Sequence, residues 1–255
     1  MRKFISYISY NLKLLRFFWS KPDIKKDSIQ VSNLRKDGIM VIDDFKNHCK
    51  YLDELNKFTD NLDIDYLVKQ FDSYRIDGKR GRVKKEFRTN ITKLFDEELL
   101  INYSKNKYIN NIIFQYFGFY PTLRSISVWI DVPNENTKEE VATQVFHRDF
   151  DDIKLIKTFL YLNDVSKENG PFEYIIGSHL KPWKNENSII DNETFLKKFK
   201  EENLKSVIGK KNTLVIADTN GFHHGKKLTK NYRIMLTASY TSKKPSVKIN
   251  NSLFE

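Results

Sequence analysis

Two stretches of this chain carry residues that could do chemistry together. Gln144-Val145-Phe146-His147-Arg148-Asp149 holds a His-x-Asp pair, and Asp218-Thr219-Asn220-Gly221-Phe222-His223-His224 follows far downstream. Two neutral imidazoles and one carboxylate are the ligand types that hold non-haem Fe(II) on one face and leave coordination positions open. In an extended segment residues i and i+2 project to the same face, so His147 and Asp149 can reach one ion while Arg148 points away. The third ligand must come from another segment, and His223 and His224 are both candidates. Such a ligand set contributes one negative charge, so an Fe(II) site stays net positive and attracts an anionic keto acid, with room for O2. Further on, Arg233 opens a run in which Arg233, Met235, Thr237 and Ser239 share a face. A guanidinium at the mouth of a barrel, with small hydroxyl residues such as Thr237 behind it, can grip a carboxylate bidentately.

His-Arg-Asp also occurs in the catalytic loop of protein kinases. That loop requires Asn five residues after the Asp, where this chain has Lys154, and the Gly-rich loop and Asp-Phe-Gly are missing as well. His179, in Gly177-Ser178-His179, reads as a residue that orients a loop. His48 beside Cys49 reads as structural, and Asp218 as a turn residue.

The elements that must position these residues fall in two parts. Ile39–Phe45 is a β-branched run after the Gly38 turn, hence a strand. Residues 47–77 are expected to be helical, with Leu52, Leu55, Phe58, Leu62 and Tyr66 at three- and four-residue steps. Residues 78–90 read as a basic loop. Ile91–Phe117 carries one or two helices that stop at Gly118, with Pro121 just beyond. After Pro121 the period changes to two. Ser125–Val132 alternates cleanly, and runs at Ile156–Leu162, Phe172–Ile176, Thr213–Ala217 and Tyr232–Tyr240 continue the pattern. Residues 181–206, with Trp183 and a helix expected over Asn192–Glu202, interrupt the strands where a lid could sit. The expectation is a mainly β protein with flanking helices. It comprises a single domain over 23–255, with a helical front part (23–120) and a β core (about 121–245), preceded by a segment at 1–22.

That N-terminal segment, Met1–Pro22, places Phe4, Ile5, Ile8, Leu12, Leu15 and Trp19 at helical spacing among Arg2, Lys3, Lys13, Arg16 and Lys21. Lys13 and Arg16 break the apolar run too early for a membrane span, and no small-residue cleavage site follows. A basic amphipathic helix of this kind can lie on an anionic membrane surface or pack on its own domain. Cys49 is the only cysteine among 255 residues, which rules out an intrachain disulfide and favours a reducing, cytoplasmic setting. The formal charge of +11 suits an anionic small-molecule substrate or a membrane surface. It equally suits a Lys- and Asn-rich chain from an AT-rich genome. No RNA-binding aromatic motif, zinc-finger spacing or phosphate loop is present, so nucleic acid is not an expected partner.

Taken together, the region from Gln144 to Tyr240 resembles the phytanoyl-CoA dioxygenase family of Fe(II)/2-oxoglutarate-dependent oxygenases. The resemblance rests on Gln144–Asp149, Leu160-Tyr161-Leu162-Asn163-Asp164-Val165, Glu168-Asn169-Gly170-Pro171-Phe172-Glu173-Tyr174, Gly177-Ser178-His179, Ala217–His223 and Arg233. It implies a double-stranded β-helix, or jelly roll. It also implies Fe(II) on His147, Asp149 and His223, with 2-oxoglutarate on the metal and its distal carboxylate on Arg233. The family's Asp-Thr-x-Gly-x-His order selects His223, and His224 stands where the family commonly has Arg. The implied reaction consumes O2, converts 2-oxoglutarate to succinate and CO2, and hydroxylates a small or lipid-like metabolite. Gln144 could donate to 2-oxoglutarate, and Phe159 could line its pocket. Lys157 and Tyr161, on the same strand face as Phe159, and Trp129 on a neighbouring strand could meet substrate. Halogenation is disfavoured because Asp149 occupies the position a halide would need. The competing reading is a non-catalytic metal-binding β-barrel or a membrane-surface interaction protein.

Overall fold

Alternation after Pro121 yields strands whose two faces bury different chemistry. The computed structural model describes residues 28–67, 87–133, 140, 142–181, 192–199 and 201–242. The expected helix at 1–22, the basic run Lys79–Lys85 and Trp183 lie outside these residues.

The strands are β1 (Ile39–Ile42), β2 (Arg88–Asn90), β3 (Thr122–Asp131), β4 (Leu155–Tyr161), β5 (Phe172–Ile175), β6 (Leu204–Val207), β7 (Leu214–Asp218), β8 (His223–Gly225) and β9 (Arg233–Thr241). They form a six-stranded sheet in the order β1-β7-β4-β9-β3-β2 and a three-stranded sheet in the order β6-β5-β8. Every named pairing is antiparallel.

One face of the large sheet presents Ile126, Val128, Ile130, Ile156, Leu160, Ile234, Leu236 and Ala238. These pack with Leu34, Leu55, Leu100, Ile113 and Phe117 of the helices. Burying each of the Ile, Val, Leu and Phe side chains among them stabilises the fold by about 1.5–3 kcal/mol. The helices are α1 (Ile29–Asp37), α2 (Leu52–Asp60), α3 (Glu97–Ser104), α4 (Lys107–Phe117) and α5 (Asn192–Lys198). Ser28, Asp96 and Asn106 cap α1, α3 and α4 by accepting from Val31, Leu99 and Ile109 N–H. Gly38 ends α1 in the left-handed region at φ 79°, and a Cβ there would lie 2.2 Å from the Tyr174 hydroxyl.

The other face carries Phe159, Tyr161, Val215, Ala217 and Met235, which pack on Phe172, Tyr174 and Val207 of the small sheet. Tyr161 ties the two sheets. Its hydroxyl donates to Val207 O at 2.9 Å and accepts from Phe172 N–H at 3.1 Å.

The expected division into a helical front and a β core is crossed by two strands. β1 and β2 come from the front part and form opposite edges of the large sheet. Arg88–Asn90, expected in the basic loop, pairs with β3 because a sheet edge offers the ladder partners that a short polar run lacks alone. Within the described part of 47–77, helix occurs at α2 and again over residues 64–67, with a 3-10 turn at Phe45–His48 before them. The helix expected over Asn192–Glu202 is α5 followed by a 3-10 turn at Glu201–Asn203. Among the described residues no helix is long and apolar enough to cross a membrane.

Candidate metal centre

His147 lies just outside the named strands, in extended backbone that bridges to β8. It exchanges two N–H···O bonds with His223, each 3.0 Å, and Asp149 N–H donates to Thr219 O at 2.8 Å. The alternation expected of His-Arg-Asp follows from this pairing. Arg148 turns to the opposite side, where it donates to Ser178 O and covers the Phe222 ring at 4.4 Å.

The structure brings His147, Asp149 and His223 together, with one ligand atom from each lying within 4.8 Å of the others. Both imidazoles are oriented by the same device. His147 Nδ1 is 2.9 Å from Val145 O, and His223 Nδ1 is 2.9 Å from Gly221 O. A carbonyl oxygen only accepts, so each Nδ1 carries the proton and each Nε2 keeps its lone pair. That is the tautomer a metal requires, fixed by a hydrogen bond outside the coordination shell.

Burial holds the imidazole of His147 below its usual range and that of His223 far below, the latter with further opposition from His147. Burial alone would raise Asp149, but His223 and Lys157 more than offset it and leave the carboxyl below its usual range. Lys157 Nζ lies 2.7 Å from Asp149 Oδ2, so this side chain stands beside the triad.

His224 faces elsewhere. Its Nε2 is 2.9 Å from Glu173 Oε2, its Nδ1 is 2.7 Å from Gln144 O, and its ring packs on Phe146 at 3.9 Å. Asn192, at the start of α5, also donates to Gln144 O.

Arg233 departs from the expected mouth position. It is 1% exposed and held by Asp131, with Nη2 and Nε at 2.5 and 3.1 Å from Oδ2. The inner end of β9 can bury this charge because Asp131 is its register partner on β3. Gly225 of β8 lets the backbone approach, since a Cβ there would lie 2.8 Å from Arg233 Nη2.

The remaining expected residues scatter around this interior. Thr237 pairs with both Phe159 and Ser127, and the Phe159 ring packs on Phe172 at 4.5 Å. Trp129 pairs with Met235 and lies 5.5 Å from the Arg88 guanidinium. Tyr161 points inward, but its hydroxyl is committed to holding the sheets together. Gln144, expected one strand step before His147, sits in a 3-10 turn over Ala142–Gln144. The chain turns there because Ala142 adopts φ 53°. His179 orients its loop through Arg35 O at 2.9 Å, and His48 stacks on Tyr108.

Asp131 and Arg88 were missed from sequence. The parity of β3 places Asp131 on the same face as Ser125, Ser127 and Trp129, and that inward carboxylate was the available signal.

No family model and no curated protein sequence matches the chain. Solved structures do. HygX from Streptomyces hygroscopicus, with nickel and 2-oxoglutarate bound, matches with a TM-score of 0.53 at 14% identity, covering 87% of this chain and 88% of HygX. The epimerase SnoN, in complex with Fe3+, alpha ketoglutarate and nogalamycin RO, matches with a TM-score of 0.54 at 15% identity over 83% of this chain and 81% of its own. EctD from S. alaskensis, with 2-oxoglutarate and 5-hydroxyectoine, gives 0.58 at 16% identity over 86% and 77%. The chain shares its fold with these 2-oxoglutarate-bound structures, two of which also hold a metal, and within that fold it carries a His-Asp-His triad.

Proposed function

We propose that this chain is an Fe(II)- and 2-oxoglutarate-dependent oxygenase of the phytanoyl-CoA dioxygenase type, and that it hydroxylates a small or lipid-like, anionic metabolite. His147, Asp149 and His223 hold the iron, and Arg233 takes the distal carboxylate of 2-oxoglutarate. The observation that carries the reading is the paired orientation of His147 and His223. Each donates Nδ1–H to a carbonyl two residues earlier and so leaves Nε2 bare, and the His223 Nε2 lies 3.5 Å from Asp149 Oδ2. A purely structural polar cluster has no need of two matched tautomers beside a carboxylate.

When bound, the iron supplies the oxidation of substrate carbon, coupled to conversion of 2-oxoglutarate and O2 to succinate and CO2. The chain's own residues do the rest. Asp149 provides the ligand charge, and Lys157 steadies the carboxylate. Phe159, Phe172 and Met235 keep the inner wall apolar and dry.

Anaerobic addition of Fe(II) and 2-oxoglutarate tests the reading. A weak visible charge-transfer band that needs both components is expected. Absence of the band, together with no rise in melting temperature on adding 2-oxoglutarate, would leave the non-catalytic metal-binding alternative.

A further inference from the structure

Three charged residues from three adjacent strands line up at one end of the inner face. Arg88 on β2 is the register partner of Asp131 on β3, which is in turn the partner of Arg233 on β9. Arg88 Nε lies 2.5 Å from Asp131 Oδ1 and its Nη2 lies 2.9 Å from Oδ2, while Arg233 approaches only Oδ2. Asp131 is fully buried, Arg233 is 1% exposed, and the Arg88 side chain is 12% exposed. Two guanidiniums therefore share one carboxylate, and the group carries a net positive charge away from water. Arg233 Nη1 is buried with no hydrogen-bond partner among the described residues. An unbalanced buried cation with an idle donor is costly unless a second anion completes it.

We propose that Arg88 is a positioning residue that sets the charge available on Arg233. By drawing Asp131 toward itself, Arg88 keeps that carboxylate from neutralising Arg233. The Nη1 edge then stays cationic for a ligand carboxylate. Asp131 fixes the guanidinium by Nε and Nη2, and the β8 backbone closes in at Gly225. This inference rests on the proposed function for the identity of the carboxylate, the distal group of 2-oxoglutarate. Arg88 itself contacts Asp131, Phe87 and Trp129.

The test is calorimetric titration of the Ni(II)-loaded full chain with 2-oxoglutarate and with pyruvate, a 2-oxo acid that lacks the distal carboxylate. Arg88→Met should weaken 2-oxoglutarate binding about tenfold, because Asp131 then pairs with Arg233 alone. Pyruvate and Ni(II) binding should stay unchanged. Adding Asp131→Asn to Arg88→Met should restore most of the 2-oxoglutarate affinity. A merely structural role for Arg88 would make the double variant worse. Asp131→Asn alone keeps the question answerable if Arg88→Met fails to fold. It should lower the melting temperature of the ligand-free protein yet bind 2-oxoglutarate at least as tightly as the parent. The proposal is overturned if Arg88→Met leaves 2-oxoglutarate binding intact, if it weakens pyruvate equally, or if Asp131→Asn alone weakens 2-oxoglutarate. Failure of the parent protein to bind 2-oxoglutarate at all would instead remove the functional reading beneath it.

Discussion

Lys157 Nζ and Asp149 Oδ2 stand 2.7 Å apart on the inner face, so a lysine ammonium already touches the carboxylate of the candidate triad. Together with His223, this pair holds the Asp149 carboxyl below its usual range, which helps a metal ligand. It also places a positive charge close to where a divalent cation would sit. In the partly buried interior the repulsion outweighs the benefit, because Asp149 is ionised at neutral pH with or without help. Lys157→Met should therefore tighten divalent-metal binding by about fivefold, on a moderate effective dielectric. Competition against a chromogenic chelator measures this. Unchanged or weaker metal binding would mean that Lys157 chiefly orients the carboxylate.

Gly225 and Arg233 give a second prediction, independent of charge. A Cβ at Gly225 would fall 2.8 Å from Arg233 Nη2, inside contact distance, and the guanidinium is held on its other side by Asp131. Gly225→Ala should push the arginine off its ligand-facing position while leaving both sheets assembled. The expected result is a KM for 2-oxoglutarate raised about tenfold with kcat little changed, since ground-state binding of a carboxylate is what is lost. Arg233→Ala should raise KM at least as much. A Gly225→Ala protein with parental KM would show that Arg233 is not the anchor.

These residues also mark how far the sequence could be read. Alternation in β3, β4 and β9 was legible because each strand has one face on helices and one on the other sheet. The i, i+2 placement of His147 and Asp149 followed from the same rule. Gln144 was misplaced because a strand pattern cannot reveal that Ala142 turns the chain at positive φ. Arg88 reads as loop in the sequence because β2 is only three residues long and owes its conformation to β3. The sharing of Asp131 between two arginines depends on strand order, which no local pattern encodes.

Acid should weaken the metal-free protein in a defined sense. The imidazoles of His147 and His223 are held below the ordinary value of 6.5 by burial, His223 further by His147. The unfolded chain then binds protons that the folded chain refuses, so stability is full above 6.5 and falls as pH drops below it. Asp149, lowered from 3.8, extends the loss in the same direction at still lower pH. Melting temperature should be flat above ~pH 7 and decline below 6.5. His223→Gln, which cannot take up a proton, should decline less steeply. Equal slopes for the two proteins would contradict the assignment.

His224, next to the triad in sequence, should matter for stability more than for metal binding. Its imidazole links Glu173 to Gln144 O, and Glu173 is otherwise held by Ser206 and by Lys226 at 3.4 Å. The Glu173 side chain is only 5% exposed, so removing its nearest partner leaves a carboxylate short of compensation. His224→Ala should destabilise the fold by about 1–3 kcal/mol, the usual scale for leaving a buried acceptor without its hydrogen-bond partner. Urea unfolding measures the loss, and Glu173→Gln in the same background should recover part of it by removing the stranded charge. Metal affinity at saturating folded fraction should stay near that of the parent, because His224 faces away from His147 and Asp149. A His224→Ala protein that keeps its stability but loses metal would reverse the roles of the two histidines.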